Sequence, residues 1–211
     1  LSTALQQATE DFGLSSTALT TVTIGVQTTW GWSPPAPGEL TYLSPSLSGV
    51  DPAPPLTYGL VDRIAFRRAG VEDPRNSQFY AGLSQMMILQ GLISWEIERL
   101  LPEPPFWSWS RADLSSLSLR PLAEAWQKGS SPDSFDLDLS LTGFALVSFL
   151  VEEHGPRVIG RMFDALTMAE SLDDWLRMVS GQGLEEVEPA WQAWLRRQAA
   201  SPPSPSPSPG P

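Results

Sequence analysis

The strongest constraint on the fold is an unbroken series of helix signals between residues 140 and 198. The segment "SLTGFALVSFLVEEHG" is apolar at helical spacing and reaches Gly155, a residue type favoured just past the end of a helix. Further on, Ser171 and Asp174 form the S-x-x-D pattern of an N-terminal capping box. The predicted helices span residues 140–154, 156–168, 172–179 and 184–198. We therefore expect this half of the chain to be helical.

The residues before this series predict a mixed architecture. An apolar stripe over 77–101 predicts a long helix, a shorter helical segment follows at 115–128, and residues 1–12 predict a short N-terminal helix. Alternating, β-branched or otherwise strand-like segments lie between them. The predicted strands are 19–30, 39–45 and, as the favoured reading of an ambiguous pattern, 60–70. The expected fold class is α+β, with a small N-terminal sheet and one helix before a predominantly helical C-terminal half.

The same signals predict the domain organisation. Residues 1–76 form an N-terminal α/β portion and residues 77–200 a helical portion, and the two make one compact unit. The Pro-rich stretch 48–59 is predicted to be a loop. The final segment 201–211, "SPPSPSPSPGP", is too rich in Ser and Pro to pack a core and is predicted to be a disordered tail.

The charge balance excludes several classes of partner. The net charge is −11, and Lys128 is the single lysine. Such a surface repels nucleic acid and anionic membranes, and no apolar run approaches the roughly 20 residues that a bilayer span needs. The chain opens on "LSTALQQATEDFG" without an initiating Met, which suggests removal of a signal or anchor segment or an expression product. An extracellular or cell-envelope location is the resulting prediction.

Few residues are available for catalysis. The chain has no Cys and one His, so it offers no thiol and no site made of two imidazoles. His154 follows Glu152 and Glu153 at the end of an apolar helix, where a solvated helix end is the favoured reading over a proton carrier. The acidic loop "PDSFDLD" lacks the spacing of a calcium-binding loop, so its aspartates are read as helix caps.

Two polar residues stand out on the long helix predicted over 77–101. Gln90 and Ser94 are four positions apart and therefore share a face of a largely apolar helix. In the following Pro-bounded loop, Trp107 and Trp109 could line a groove for a peptide or a sugar. The favoured alternative is that these two tryptophans fill the core.

The C-terminal half resembles a known family. Residues 140–195 are similar to the tails of peptidase MA-like, gluzincin-type domains of bacterial envelope proteins, which have an apolar helix ending in a "yLve.yG" pattern and close on "G.s.eele..W..wl". The closing pattern is matched by Gly183, Leu184, Glu185, Glu186, Trp191 and Trp194. The resemblance covers about 56 residues closely and extends more loosely back to residue 77. It implies a gluzincin-like fold for the helical half.

The family's metal motif has no counterpart in this chain. The resemblance implies an upstream helix with H-E-x-x-H, whose two His bind Zn²⁺ and whose Glu acts as base, and a later Pro-Trp segment with a third ligand. Aligned on this sequence, Gln90 and Ser94 take the two His positions and Gly91 the Glu position. The segment 102–113 lies where the Pro-Trp loop belongs and has no Glu at the expected place. The resemblance therefore implies a degenerate domain with no catalytic residue, no metal and no cofactor.

Three functional hypotheses follow from these observations. The leading one is a non-catalytic binding or accessory module of a secreted or envelope protein, with a peptide or protein as partner. Its remnant cleft comprises Gln90, Gly91, Ser94, Trp95, Trp107 and Trp109, and this cleft is either open or filled in. The alternatives are a metal-independent hydrolase that uses His154 and a structural subunit of a surface or membrane assembly.

Overall fold

A computed structural model shows a largely helical protein. It describes residues 2–14, 23–27, 39–43, 49, 51, 53–70, 83–101, 114, 116–128 and 137–200. The elements in chain order are α1 (Ser2–Asp11), β1 (Thr23–Gln27), β2 (Glu39–Leu43), α2 (Ala53–Arg68), α3 (Leu83–Leu100), α4 (Arg120–Lys128), α5 (Leu137–His154), α6 (Val158–Leu166), α7 (Leu172–Ser180) and α8 (Leu184–Ala200).

The expected α+β fold class is wrong. The described part of the chain is mostly helical, and the predicted N-terminal sheet layer is not seen. Strands β1 and β2 pair only with each other, in parallel, with Ile24 opposite Leu40. A pair of five-residue strands is much smaller than the sheet layer that the α+β prediction requires.

Helix α2 replaces both the strand predicted over 60–70 and part of the loop predicted over 48–59. Its buried residues recur at helical spacing and include Leu56, Leu60 and Ile64. Pro54 and Pro55 lie in its first turn, where a missing N–H costs no hydrogen bond. Residues 60–66 taken alone are an apolar run that could form a strand. Their helical spacing becomes visible only when residues 53–59, which were predicted to be part of a loop, are included in the helix.

Local signals in the C-terminal half correspond closely to the observed helix ends. At the start of α7, the Ser171 hydroxyl accepts a hydrogen bond from the Asp174 N–H at 3.1 Å, as the capping box predicts. The reciprocal bond goes one residue further back, from the Glu170 N–H to the Asp174 carboxylate. After α5, Gly155 adopts a φ of 76° and donates its N–H to the Val151 carbonyl at 2.8 Å.

The connection between α7 and α8 is fixed by carboxylates. Asp173 accepts hydrogen bonds from the Leu184 N–H at 2.7 Å and from Arg177 Nε at 2.9 Å, and these bonds lower the pKa of its carboxyl. Glu186 accepts a bond from the Gly183 N–H at 2.7 Å. Both acids therefore satisfy N–H groups at the start of α8 that have no partner within the helix.

A single hydrophobic core joins the described helices. Trp175 and Trp191 are fully buried, and Trp194 is nearly so, as their helical spacing predicts. The indole Nε1 of Trp175 donates to the Met162 carbonyl at 3.2 Å, and that of Trp194 donates to Glu152 at 2.8 Å. Helices α1 and α2 contribute to the same core, so these two helices pack with the C-terminal helices. No helix in the described ranges is both long and apolar enough to cross a membrane.

Candidate functional site

The predicted remnant cleft is centred on α3. Gln90, Ser94 and Trp95 are all half-buried. The Gln90 amide Nε2 lies 3.9 Å from the sulfur of Met86 one turn back, and the Arg99 guanidinium lies 5.8 Å from the centre of the Trp95 ring. The structure therefore keeps these three side chains at a partly exposed surface. Trp107 and Trp109 lie outside the described residues.

Gly91 is placed differently from its neighbours because it forms the contact between α3 and α5. An ideal Cβ on Gly91 would lie 2.6 Å from the carbonyl carbon and oxygen of Gly143 and 2.8 Å from the Phe144 nitrogen. A Cβ on Gly143 would lie 2.3 Å from the Met87 carbonyl oxygen. The backbones of the two helices therefore touch at this crossing, and any side chain would force them apart.

The helix geometry relates this crossing to the predicted site. At 100° per residue, Gly91 projects between Ser94 and Trp95 around α3. The buried Ser140 hydroxyl of α5 also contacts the Met87 sulfur of α3, at 3.1 Å, one turn before Gly91. Gly91, which aligns with the Glu of the resembled motif, is thus covered by α5. The half-buried residues Ser94 and Trp95 lie on either side of this contact.

His154 has no catalytic partners among the described residues. It is the exposed last residue of α5, and among the described residues no hydrogen bond involves its imidazole. Glu152 instead accepts bonds from Trp194 Nε1 and, at 3.5 Å, from Gln198 Nε2, whereas Glu153 is exposed. This arrangement is that of a solvated helix end, and no described group assembles the catalytic set that the hydrolase hypothesis requires.

The structure describes one aspartate of the acidic loop, Asp138, and places it inside α5 instead of before it. Asp138 is exposed in the first turn of α5, where a negative charge interacts favourably with the helix dipole. Asp133 and Asp136 lie outside the described residues. Among the residues that the structure describes, no three His, Cys, Asp or Glu side chains converge as metal ligands would.

An ion-pair cluster on α3 was not anticipated from the sequence. Glu96 is completely buried and forms a two-pronged contact with Arg99, at 2.7 and 3.3 Å. Arg99 also binds Asp11 of α1. Burial raises the pKa of the Glu96 carboxyl to about 7, against the lowering effect of Arg99 and with a further increase from Asp11. A Glu flanked by Ile93 and Ile97 at core spacing is the sequence signal for this cluster.

A shallow depression lies between the ends of α2 and α6. Its volume is about 470 Å³, and its lining includes Arg68, Phe163, Asp164 and Met168. Arg68 donates to the carbonyls of Phe12 at 3.0 Å and Gly160 at 3.3 Å, pairs with Asp164, and lies over the Phe163 ring. The guanidinium therefore serves to hold α1, α2 and α6 together.

Comparison with known proteins gives no further assignment, because no family model, curated protein or solved structure matches the chain.

Proposed function

We propose that this chain is a non-catalytic module that retains a gluzincin-like helical scaffold and acts by binding a peptide or protein partner. The observation that carries the proposal is the contact between Gly91 and Gly143. A glutamate at position 91 has no space beside the α5 backbone, so the position of the general base in the resembled motif serves helix packing here.

The composition supports the same proposal. The whole chain has one His, which cannot supply the pair of imidazoles that the resembled zinc site uses. That His lies at the end of α5, away from Gln90 and Ser94 on α3. We propose a secreted or envelope protein as its context, because the family it resembles belongs there.

The binding surface that we propose is the half-buried flank of α3 that carries Gln90 and Ser94 beside the α5 crossing. These two residues offer amide and hydroxyl groups that hydrogen-bond a peptide backbone, whereas Trp95 lies on the opposite flank of the crossing. Half-buried groups of this kind lose little conformational entropy on binding because packing already restricts them.

Substitution of Ser94 by Arg tests this surface. The long charged side chain is expected to block the flank of α3 and to weaken binding of a dye-labelled pool of casein-derived peptides by tenfold or more, roughly 1.4 kcal/mol. Fluorescence anisotropy measures the binding, and electrophoresis of the pool checks for cleavage. Ser180→Arg, on the half-buried side of α7, is the matched control and should bind as the wild type does.

Two results would contradict the proposal. One is progressive cleavage of the peptide pool by the wild-type protein. The other is equal binding by wild type and Ser94→Arg, which would place any binding surface elsewhere.

A further inference from the structure

The buried Glu96 carboxyl lies in a cluster that joins the N-terminal helix to the rest of the protein. Arg99 makes bonds to two carboxylates, Glu96 on its own helix and Asp11 at the end of α1. With both acids ionised the three groups carry a net charge of −1, with Glu96 fully buried and Arg99 and Asp11 partly exposed. With Glu96 protonated the cluster is neutral, and Arg99 pairs with Asp11 alone.

Besides this cluster, the described side chains that dock helix α1 lie towards its C-terminal end. Ala8, Thr9 and Phe12 are buried, and the Phe12 ring lies 4.9 Å from that of Phe163 on α6. The Phe12 carbonyl accepts a bond from Arg68 of α2, which satisfies one of the carbonyls left open at the end of α1. The helix has ten residues, too few to be stable in water without packing. Its docking is therefore sensitive to a change of charge at its end.

We propose that α1 is a pH-responsive latch whose docking on α2 and α3 weakens when Glu96 loses its proton. Release of α1 would uncover Phe163 and free Arg68 from the Phe12 carbonyl. Both residues line the depression between α2 and α6, so opening of the latch would enlarge this depression and expose more of the Phe163 ring in it.

The sign of the effect follows from proton linkage. Burial raises the pKa of Glu96 to about 7, and Asp11 of the docked α1 adds to this rise. The docked state therefore binds the proton more tightly. Docking is strongest where Glu96 is protonated, weakens as the pH rises towards about 7, and then levels off, with at most a tenfold change per pH unit.

Few other charged groups act on the cluster. Among the described residues, the charges that act on Glu96 are those of Arg99 and Asp11, and none comes from α2, α4, α5 or α6. Glu98 on α3 is exposed, although partial desolvation also raises the pKa of its carboxyl. Asp62 of α2, whose pKa burial raises to about 6, titrates in the same range and requires its own control.

Hydrogen exchange followed by mass spectrometry tests the latch. In the wild-type protein, the protection factors of peptides covering residues 2–14 should fall by about threefold or more between pH 5.5 and 7.5. The protection factors of peptides covering residues 184–198 should stay unchanged over this pH range. Glu96→Gln, which cannot ionise, should change by less than about twofold over the same range. Glu153→Gln, an exposed acid on α5, and Asp62→Asn should both respond as the wild type does.

Each other outcome overturns the proposal. Constant protection of residues 2–14 in the wild type would show that α1 does not respond to pH. Parallel loss over residues 184–198 would indicate general unfolding, and loss of the response in Asp62→Asn would assign it to α2. If Glu96→Gln does not fold, the pH profile of the wild type and that of Asp62→Asn still test the proposal.

Discussion

Replacement of Gly143 by alanine is expected to lower the free energy of unfolding by about 3 kcal/mol. The added methyl group would lie 2.3 Å from the Met87 carbonyl oxygen and 2.8 Å from its carbon, where neither neighbour is a flexible side chain. Helices α3 and α5 would have to separate along a contact that the rest of the core holds closed. Gly91→Ala should cost a similar amount, because its methyl group meets the Gly143 backbone at 2.6 Å.

Gly160→Ala provides the matched control for this prediction. Gly160 lies in α6. A methyl group added to it would have no heavy atom within 4 Å other than those of its chain neighbours and of the backbone of its own helix. Alanine is favoured over glycine inside a helix by about 0.5–1 kcal/mol, so this variant should be slightly stabilised. Urea unfolding monitored by circular dichroism measures all three variants. A loss below about 1 kcal/mol for Gly143→Ala would show that the two backbones do not touch.

Substitution of Arg99 by Met should have the second large effect, and its size should depend on pH. At pH 8.5 the variant leaves Glu96 buried without its counter-charge, and we expect a loss of about 3 kcal/mol. At pH 5.5 Glu96 is protonated in the folded state, so the loss reduces to that of the pair with Asp11, about 1 kcal/mol.

The direction of this pH dependence follows from the protonation of the Glu96 carboxyl. Without Arg99 the pKa of the buried Glu96 rises further, and the folded state then holds a proton that the unfolded state releases. Stability of the variant therefore continues to fall above pH 7, where the wild type levels off. Arg120→Met, which removes an exposed pair with Glu124, is the control and should change stability by less than about 0.5 kcal/mol at both pH values. Equal losses at pH 5.5 and 8.5 for Arg99→Met would contradict this account of the cluster.

The C-terminal helices were predictable because their signals are local. Gly155 and the pair Ser171 and Asp174 each determine a helix end through contacts within four residues, and the structure shows those contacts. The buried tryptophans of α7 and α8 were predictable from spacing alone. In contrast, the N-terminal elements depend on packing between segments far apart in the chain, and a strand was predicted where α2 forms.

The candidate site shows the same limit. The sequence identifies Gln90 and Ser94 as an unusual pair on α3, but it cannot show that Gly91 touches Gly143, because that contact joins segments 52 residues apart. Glu96 was missed for a related reason. Its position within an apolar stripe and its partner Arg99 are visible in the sequence, whereas Asp11, which Arg99 also binds, belongs to another helix. Residue type and spacing thus predict which side chains share a face of a helix. Contacts with other helices determine whether that face is buried or exposed.

The central claim, that the helix resembling a zinc-binding motif serves packing instead of catalysis, is tested most directly by measuring metal content. The native protein should be purified without chelators, incubated with excess zinc, desalted and analysed by elemental mass spectrometry. We expect well below one zinc per chain, because the chain has one His and position 91 lies against the α5 backbone. One zinc per chain, lost on Ser94→Ala, would contradict the claim.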